Sequence, residues 1–145
     1  MSTPKIFIIE DEPDLVQALV IRLEAEGYQT ACVADGMTAA VRAGEKKPDL
    51  ILLDICLPGC DGFAVFQELR QQPATKHIPI VFLTARSSVD DRQKARHLGA
   101  AEYIVKPFKW HELSRVLHKI LAGQQSPAPA KDKVKTQDGA DGATS

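Results

Sequence analysis

Apolar positions along the chain alternate between short continuous runs and longer stretches at helical spacing. Lys5-Ile6-Phe7-Ile8-Ile9 is a first run of strand type, halted by Glu10-Asp11-Glu12-Pro13. Leu15, Val16, Leu19, Val20 and Leu23 then recur on one side of a helix; Pro13 is tolerated in its first turn and Gly27 is placed to end it. Tyr28 to Val33 reads as a weaker strand closed by Ala34-Asp35-Gly36, and the Ala-rich stretch from Met37 to Gly44 as a helix. The sharpest pattern follows Pro48. Leu50-Ile51-Leu52-Leu53 lies between Asp49 and Asp54 with no polar alternation, which fits a strand buried on both faces.

After that strand, Leu57-Pro58-Gly59 and Asp61-Gly62 spell a loop, and Phe63, Phe66 and Leu69 supply a helical face with Asp61 as its N-cap. Pro79 to Leu83 is a fourth strand, ending at Thr84-Ala85-Arg86. Ser88-Val89-Asp90-Asp91 has the spacing of a capping box, so a helix is predicted from Val89 to Leu98, ended by Gly99. Its polarity predicts loose packing. Ala101 to Val105 is the last strand, followed by Lys106-Pro107-Phe108, and Leu113, Val116, Leu117, Ile120 and Leu121 stripe a final helix. From Gln124 the composition turns to Pro, Ala, Lys, Asp, Gly, Ser and Thr, too little apolar surface to order itself. The expected division is a folded domain over 1–123 and a disordered tail or linker over 124–145.

Strands alternating with helices across short loops imply a parallel sheet with right-handed crossovers. Five such units fit an α/β, doubly wound, five-stranded parallel sheet of flavodoxin-like order 2-1-3-4-5, with helices on both faces. Ligands in that architecture bind outside the carboxyl ends of the strands. There the chain places Glu10-Asp11 after strand one, Asp54 after strand three, Thr84 after strand four and Lys106 after strand five. Strand two, expected at the edge, contributes no polar group to this rim.

Composition narrows the classes. The 145 residues suit one domain with a real core; 44% are hydrophobic and 26% charged, and the net charge of −1 supplies no basic field for direct nucleic-acid binding. No apolar run is long enough to insert in a membrane, and the first residues lack the pattern of a signal peptide, so the expected location is cytoplasmic. Cys32, Cys56 and Cys60 have neither metal nor disulfide spacing and are expected to be small apolar fillers.

Glu10, Asp11 and Asp54 bring three negative charges to one rim. Two carboxylates about 4 Å apart repel by roughly 4 kcal/mol at an effective dielectric near 20. One lysine does not neutralise three of them. A hard divalent cation relieves the shortage, and Mg²⁺ with several retained waters suits a site of few carboxylates. A metal beside Asp54 would also stabilise a phosphoryl group arriving on that carboxylate. Lys106 can pair with one phosphoryl oxygen and the Thr84 hydroxyl can donate to another. Ala85, with its small side chain, leaves its backbone N–H open to a third.

These residues resemble the receiver domain of two-component response regulators. The resemblance covers about Pro4 to Gly123 and is carried by Ile-Glu-Asp-Glu, Leu-Asp-Ile-Cys-Leu-Pro-Gly-Cys-Asp-Gly, Leu-Thr-Ala-Arg and Val-Lys-Pro-Phe, in order on the expected strands. It implies a phosphoprotein of phosphorelay signal transduction, a signalling switch rather than an enzyme, with Asp54 as phosphoacceptor; within that reading the chain is either a stand-alone receiver or one excised from something longer. It also implies Mg²⁺ held by Asp11, Asp54 and the backbone carbonyl of Cys56, with Glu10 acting through water. Thr84 and Lys106 become the switch and phosphate-contact residues, Tyr103 the switch aromatic, and Lys106-Pro107 a cis peptide bond. The implied phosphodonor is a sensor histidine kinase or a histidine phosphotransfer protein, and the downstream protein is expected to read the 89–121 face. Cys56 and Arg86, each two residues beyond a site residue, are expected to tune the lifetime of the phosphoryl group.

Three alternatives remain at this stage. A phosphorelay shuttle would share every site residue. An aspartyl-phosphate hydrolase of the haloacid dehalogenase type would carry a second Asp where Cys56 stands. A flavin-binding flavodoxin-like module would need a Ser/Thr/Gly-rich phosphate loop after strand one, where this chain has acids.

Overall fold

The computed structural model describes residues 3–125. In chain order the elements are β1 (Lys5–Ile9), α1 (Pro13–Ala25), β2 (Gln29–Val33), α2 (Gly36–Lys46), β3 (Leu50–Leu53), β4 (Cys56–Leu57), β5 (Cys60–Asp61), α3 (Gly62–Gln71), β6 (Ile80–Thr84), α4 (Val89–Leu98), β7 (Glu102–Val105) and α5 (Trp110–Gln125). The chain divides into two units, Met1–Leu113 and Ser114–Ser145. The first holds the sheet. Of the second, the structure describes the rest of α5, in which Leu117 and Leu121 are buried and Val116 and Ile120 half-buried. The expected tail from Gln124 lies almost wholly outside the described residues.

Five strands pair in parallel in the order β2-β1-β3-β6-β7. This is the expected flavodoxin-like order, with the five long strands numbered around a small additional hairpin. Every residue of β3 and β6 is buried, as their unbroken apolar runs require. β2 is the edge strand, and its Gln29 and Cys32 are exposed. Right-handed crossovers put α1, which connects β1 outward to β2, on one face. The helices that connect in the opposite direction, α2, α3 and α4, lie on the other. On that second face Phe82 of β6 stacks on Phe66 at 5.5 Å between ring centroids and meets Phe63 at 5.3 Å, in a core shared with Ile9, Leu53 and Ala39.

Local signals explain most boundaries. Pro13 opens α1, and Gly27 takes up φ +95° after its last turn. The Asp35, Asp61 and Ser88 side chains accept from the N–H groups of Met37, Phe63 and Asp91 at the starts of α2, α3 and α4. Gly99 ends α4 in the left-handed conformation. α4 buries Ala95 alone, in keeping with its polar sequence.

Two expectations are corrected. The loop after β3 contains an antiparallel pair, β4 with β5, in which Cys56 faces Asp61 and Leu57 faces Cys60. The cysteines are not all core fillers: Cys32 and Cys56 are exposed, on the edge strand and in this hairpin at the rim, whereas Cys60 is half-buried and packs against the core as expected.

Candidate functional site

The register of the sheet assembles the rim. Ile9 pairs with Leu53, so the residues that follow, Glu10 and Asp54, leave adjacent strands side by side. The Asp54 N–H donates to the Ile9 carbonyl at 3.1 Å. Thr84 pairs with Val105, and the N–H of Lys106 donates to the Thr84 carbonyl at 2.8 Å. Strand ends thus fix the backbone beneath each functional side chain. Gly62 closes the base of the Asp54 loop. Its N–H donates to the Ile55 carbonyl at 2.8 Å, and a Cβ there would overlap the Asp54 carbonyl oxygen and the Ile55 Cα.

Glu10, Asp11 and Asp54 converge as expected, each offering a carboxylate oxygen within 4.8 Å of the others. Glu10 and Asp54 are only 3% and 5% exposed, whereas Asp11 is half-buried. Lys106 reaches into the cluster. Its Nζ donates to Glu10 Oε1 at 2.9 Å, to Glu12 Oε1 at 3.0 Å and to Asp54 Oδ2 at 3.1 Å. The other Asp54 oxygen, Oδ1, accepts from the Cys56 N–H at 3.0 Å. The Lys106–Pro107 bond is cis.

Burial raises the Glu10 carboxyl above its usual range; the Lys106 hydrogen bond opposes that rise and the Asp54 charge adds to it. Burial disfavours the Lys106 ammonium, but the hydrogen bonds to Glu10 and Glu12 and the Asp54 charge outweigh it. Lys106 therefore holds its proton more tightly than an ordinary lysine. Four carboxylates, those of Glu10, Asp11, Glu12 and Asp54, surround or flank one ammonium. That surplus of hard oxygen donors fits a divalent cation of the Mg²⁺ type.

The second half of the rim is built around Arg86. The Thr84 hydroxyl, fully buried, accepts from the Arg86 N–H at 3.3 Å. The Tyr103 hydroxyl donates to the Arg86 carbonyl at 2.7 Å, while its half-buried ring lies 5.9 Å from Phe82 and beneath Arg92. The Arg86 guanidinium makes a two-pronged ion pair with Asp91 at the start of α4, both contacts at 2.9 Å. The Asp91 hydrogen bond raises the guanidinium further above its already high range. Ala85, exposed, lies between Thr84 and Arg86.

Three participants carry no functional signal in the sequence pattern. Glu12 is the last of three acids in a row before Pro13 and reads as part of the stop before a helix. Asp91 reads as a capping residue alone, and Gly62 as part of a turn. Spacing along the sequence gave no sign that Glu12 meets a lysine 94 positions away.

A family described as the response regulator receiver domain matches residues 6–118. The phosphate regulon transcriptional regulatory protein PhoB of Rhizobium meliloti (strain 1021) is 43% identical over 118 residues, which are 81% of this chain and 52% of that protein. The DNA-binding response regulator MtrA of Mycolicibacterium smegmatis is 39% identical over 125 residues, 86% of this chain and 54% of that protein. This chain spans about half the length of both relatives. Among solved structures, the receiver domain of sensor histidine kinase PA1611 from Pseudomonas aeruginosa PAO1, with a magnesium ion coordinated in its active site cleft, superposes with a TM-score of 0.75. The pair is 34% identical, over 83% of this chain and 99% of that one. The BeF3-activated N-terminal receiver domain of Klebsiella pneumoniae RstA gives 0.75 at 32% identity, over 81% and 97%.

Proposed function

The chain belongs to the response regulator receiver family, and from that premise we propose that it is a phosphoacceptor switch whose phosphorylated residue is Asp54. The observation that carries this reading is the buried Asp54 carboxylate at the end of β3, with the Lys106 ammonium 3.1 Å away and Glu10 and Asp11 beside it.

An Asp54 oxygen attacks the phosphorus of a phosphohistidine on a sensor histidine kinase or a histidine phosphotransfer protein. The P–O bond forms as the P–N bond breaks, and the imidazole leaves with the electron pair and takes up a proton. Lys106 and the Thr84 hydroxyl hold two phosphoryl oxygens, and the Ala85 N–H the third. The carboxylates of Asp11 and Asp54 and the backbone carbonyl of Cys56 would hold Mg²⁺, with Glu10 acting through water. Bound there, the cation would neutralise charge on the transferring phosphoryl group.

Thr84 and Tyr103 are the switch pair. Both engage Arg86, one at its N–H and the other at its carbonyl. When the Thr84 hydroxyl turns to the phosphoryl group it releases the Arg86 N–H, and Tyr103 turns inward. This biases the 89–121 face between two states that a downstream protein distinguishes. The chain acts as a cytoplasmic signalling switch rather than an enzyme.

Cys56 and Arg86 tune the lifetime of the phosphoryl group. Cys56 is exposed and poor at orienting an attacking water, so Cys56→Asn speeds phosphoryl loss.

A thermal-shift comparison tests the reading. Beryllofluoride with Mg²⁺ raises the melting temperature and FMN does not, because only a ligand of the native state stabilises it. A shift with FMN alone would favour a flavin-binding module.

A further inference from the structure

Lys106 directs its ammonium to Glu10 at 2.9 Å, Glu12 at 3.0 Å and Asp54 at 3.1 Å. An ammonium has three N–H donors and no fourth. A phosphoryl oxygen gains a Lys106 hydrogen bond only when one of these carboxylates lets go. The three do not release equally. Glu10 is buried, and its second oxygen is held by the Glu12 N–H at 3.2 Å, so release would leave a buried charge unpaired. Asp54 keeps its full carboxylate charge until the P–O bond has formed, so it does not free the donor that meets the incoming group. The Glu12 side chain is 62% exposed, so water replaces the lysine there at small cost.

The Glu12–Lys106 contact also does nothing for the helix that Glu12 begins. Glu12 is the residue before α1, and its side chain makes no capping hydrogen bond. We propose that Glu12 is a displaceable latch, a positioning residue that holds Lys106 in the unphosphorylated site and competes with the phosphoryl group for its third donor. The proposal rests on Asp54 being the phosphoryl site. The latch raises the phosphoryl affinity required for switching, and displacing it returns the Glu12 charge to solvent at the start of α1.

The test is a beryllofluoride titration of the full chain at saturating Mg²⁺, followed by ¹⁹F NMR. It uses wild type, Glu12→Ala, Lys106→Met and the double variant. Asp14→Ala removes an exposed charge from the same first turn and serves as the control for simple electrostatics. Glu12→Ala is expected to bind about threefold to fivefold more tightly, the range that an exposed ion pair supports. Asp14→Ala is expected to match wild type. In the Lys106→Met background, removing Glu12 is expected to change nothing.

Equal affinity of wild type and Glu12→Ala would overturn the latch while leaving Asp54 as the phosphoryl site. So would equal tightening with and without Lys106. No binding by wild type would contradict the Asp54 reading itself. A second readout does not depend on the Lys106 variant folding. In metal-free protein, exchange of the Lys106 ammonium protons with water should quicken in Glu12→Ala, and an unchanged rate would overturn the latch.

Discussion

The Tyr103 hydroxyl donates to the Arg86 main-chain oxygen at 2.7 Å, fastening β7 to the loop that leads into α4. The same residue is held at its other end, where the Arg86 guanidinium grips Asp91. The loop between β6 and α4 is therefore restrained from two sides, one by a strand and the other by a helix that buries a single residue.

Asp91→Ala should loosen this loop. Removing the carboxylate breaks the ion pair but leaves the Ser88 side chain to accept from the N–H at position 91. Amide hydrogen exchange over Val89 to Leu98 is expected to quicken several-fold, with global stability falling by about 1 kcal/mol for a two-pronged pair whose Arg86 side is open to solvent and whose Asp91 side is half-buried. Tyr103→Phe should release the other side and quicken exchange at the Arg86 loop. Unchanged exchange in both variants would mean that neither contact restrains it.

Gly62→Ala should damage the loop after β3 more than its size suggests. A Cβ at this position overlaps the backbone of Asp54 and Ile55, which cannot yield as a flexible side chain does. Overpacking of this kind costs about 1–3 kcal/mol. A denaturant melt checks the cost, and beryllofluoride affinity checks the expected displacement of Asp54. Wild-type values of both would show that the loop absorbs the methyl group.

Removing the lysine should give a pH signature. Lys106 has a raised folded pKa, so its contribution is present in full below the unfolded lysine value of about 10.4 and is lost as pH rises through the folded one. Glu10 is also raised, by burial first, and the Lys106 hydrogen bond limits that rise. Without it Glu10 binds its proton still more tightly in the native state, so stability falls as pH climbs from the usual carboxylate range. In EDTA, the deficit of Lys106→Met relative to wild type is expected to widen as pH rises above the usual carboxylate range. Parallel stability curves would contradict this account.

Much of this was legible in the sequence because the signals are long and redundant. β1 and α4 fall at the boundaries that periodicity and the Ser88 cap predict, and the strand ends alone bring Glu10, Asp11, Asp54, Thr84 and Lys106 to one rim. The β4–β5 hairpin escaped because two-residue strands have no period to detect. Glu12 and Asp91 escaped for a different reason. Each is defined by a partner's reach, and the chain around it also has a sufficient local explanation, a helix start in both cases. The exposure of Cys56 follows from the hairpin, so missing one led to misreading the other.

The central claim is that Asp54 receives the phosphoryl group, and intact-mass analysis after incubation with Mg²⁺ and acetyl phosphate tests it most directly. Wild type is expected to gain one phosphoryl mass and Asp54→Asn none, with the variant still folded because one of several crowded carboxylates has been neutralised. Equal labelling of wild type and Asp54→Asn would contradict the account.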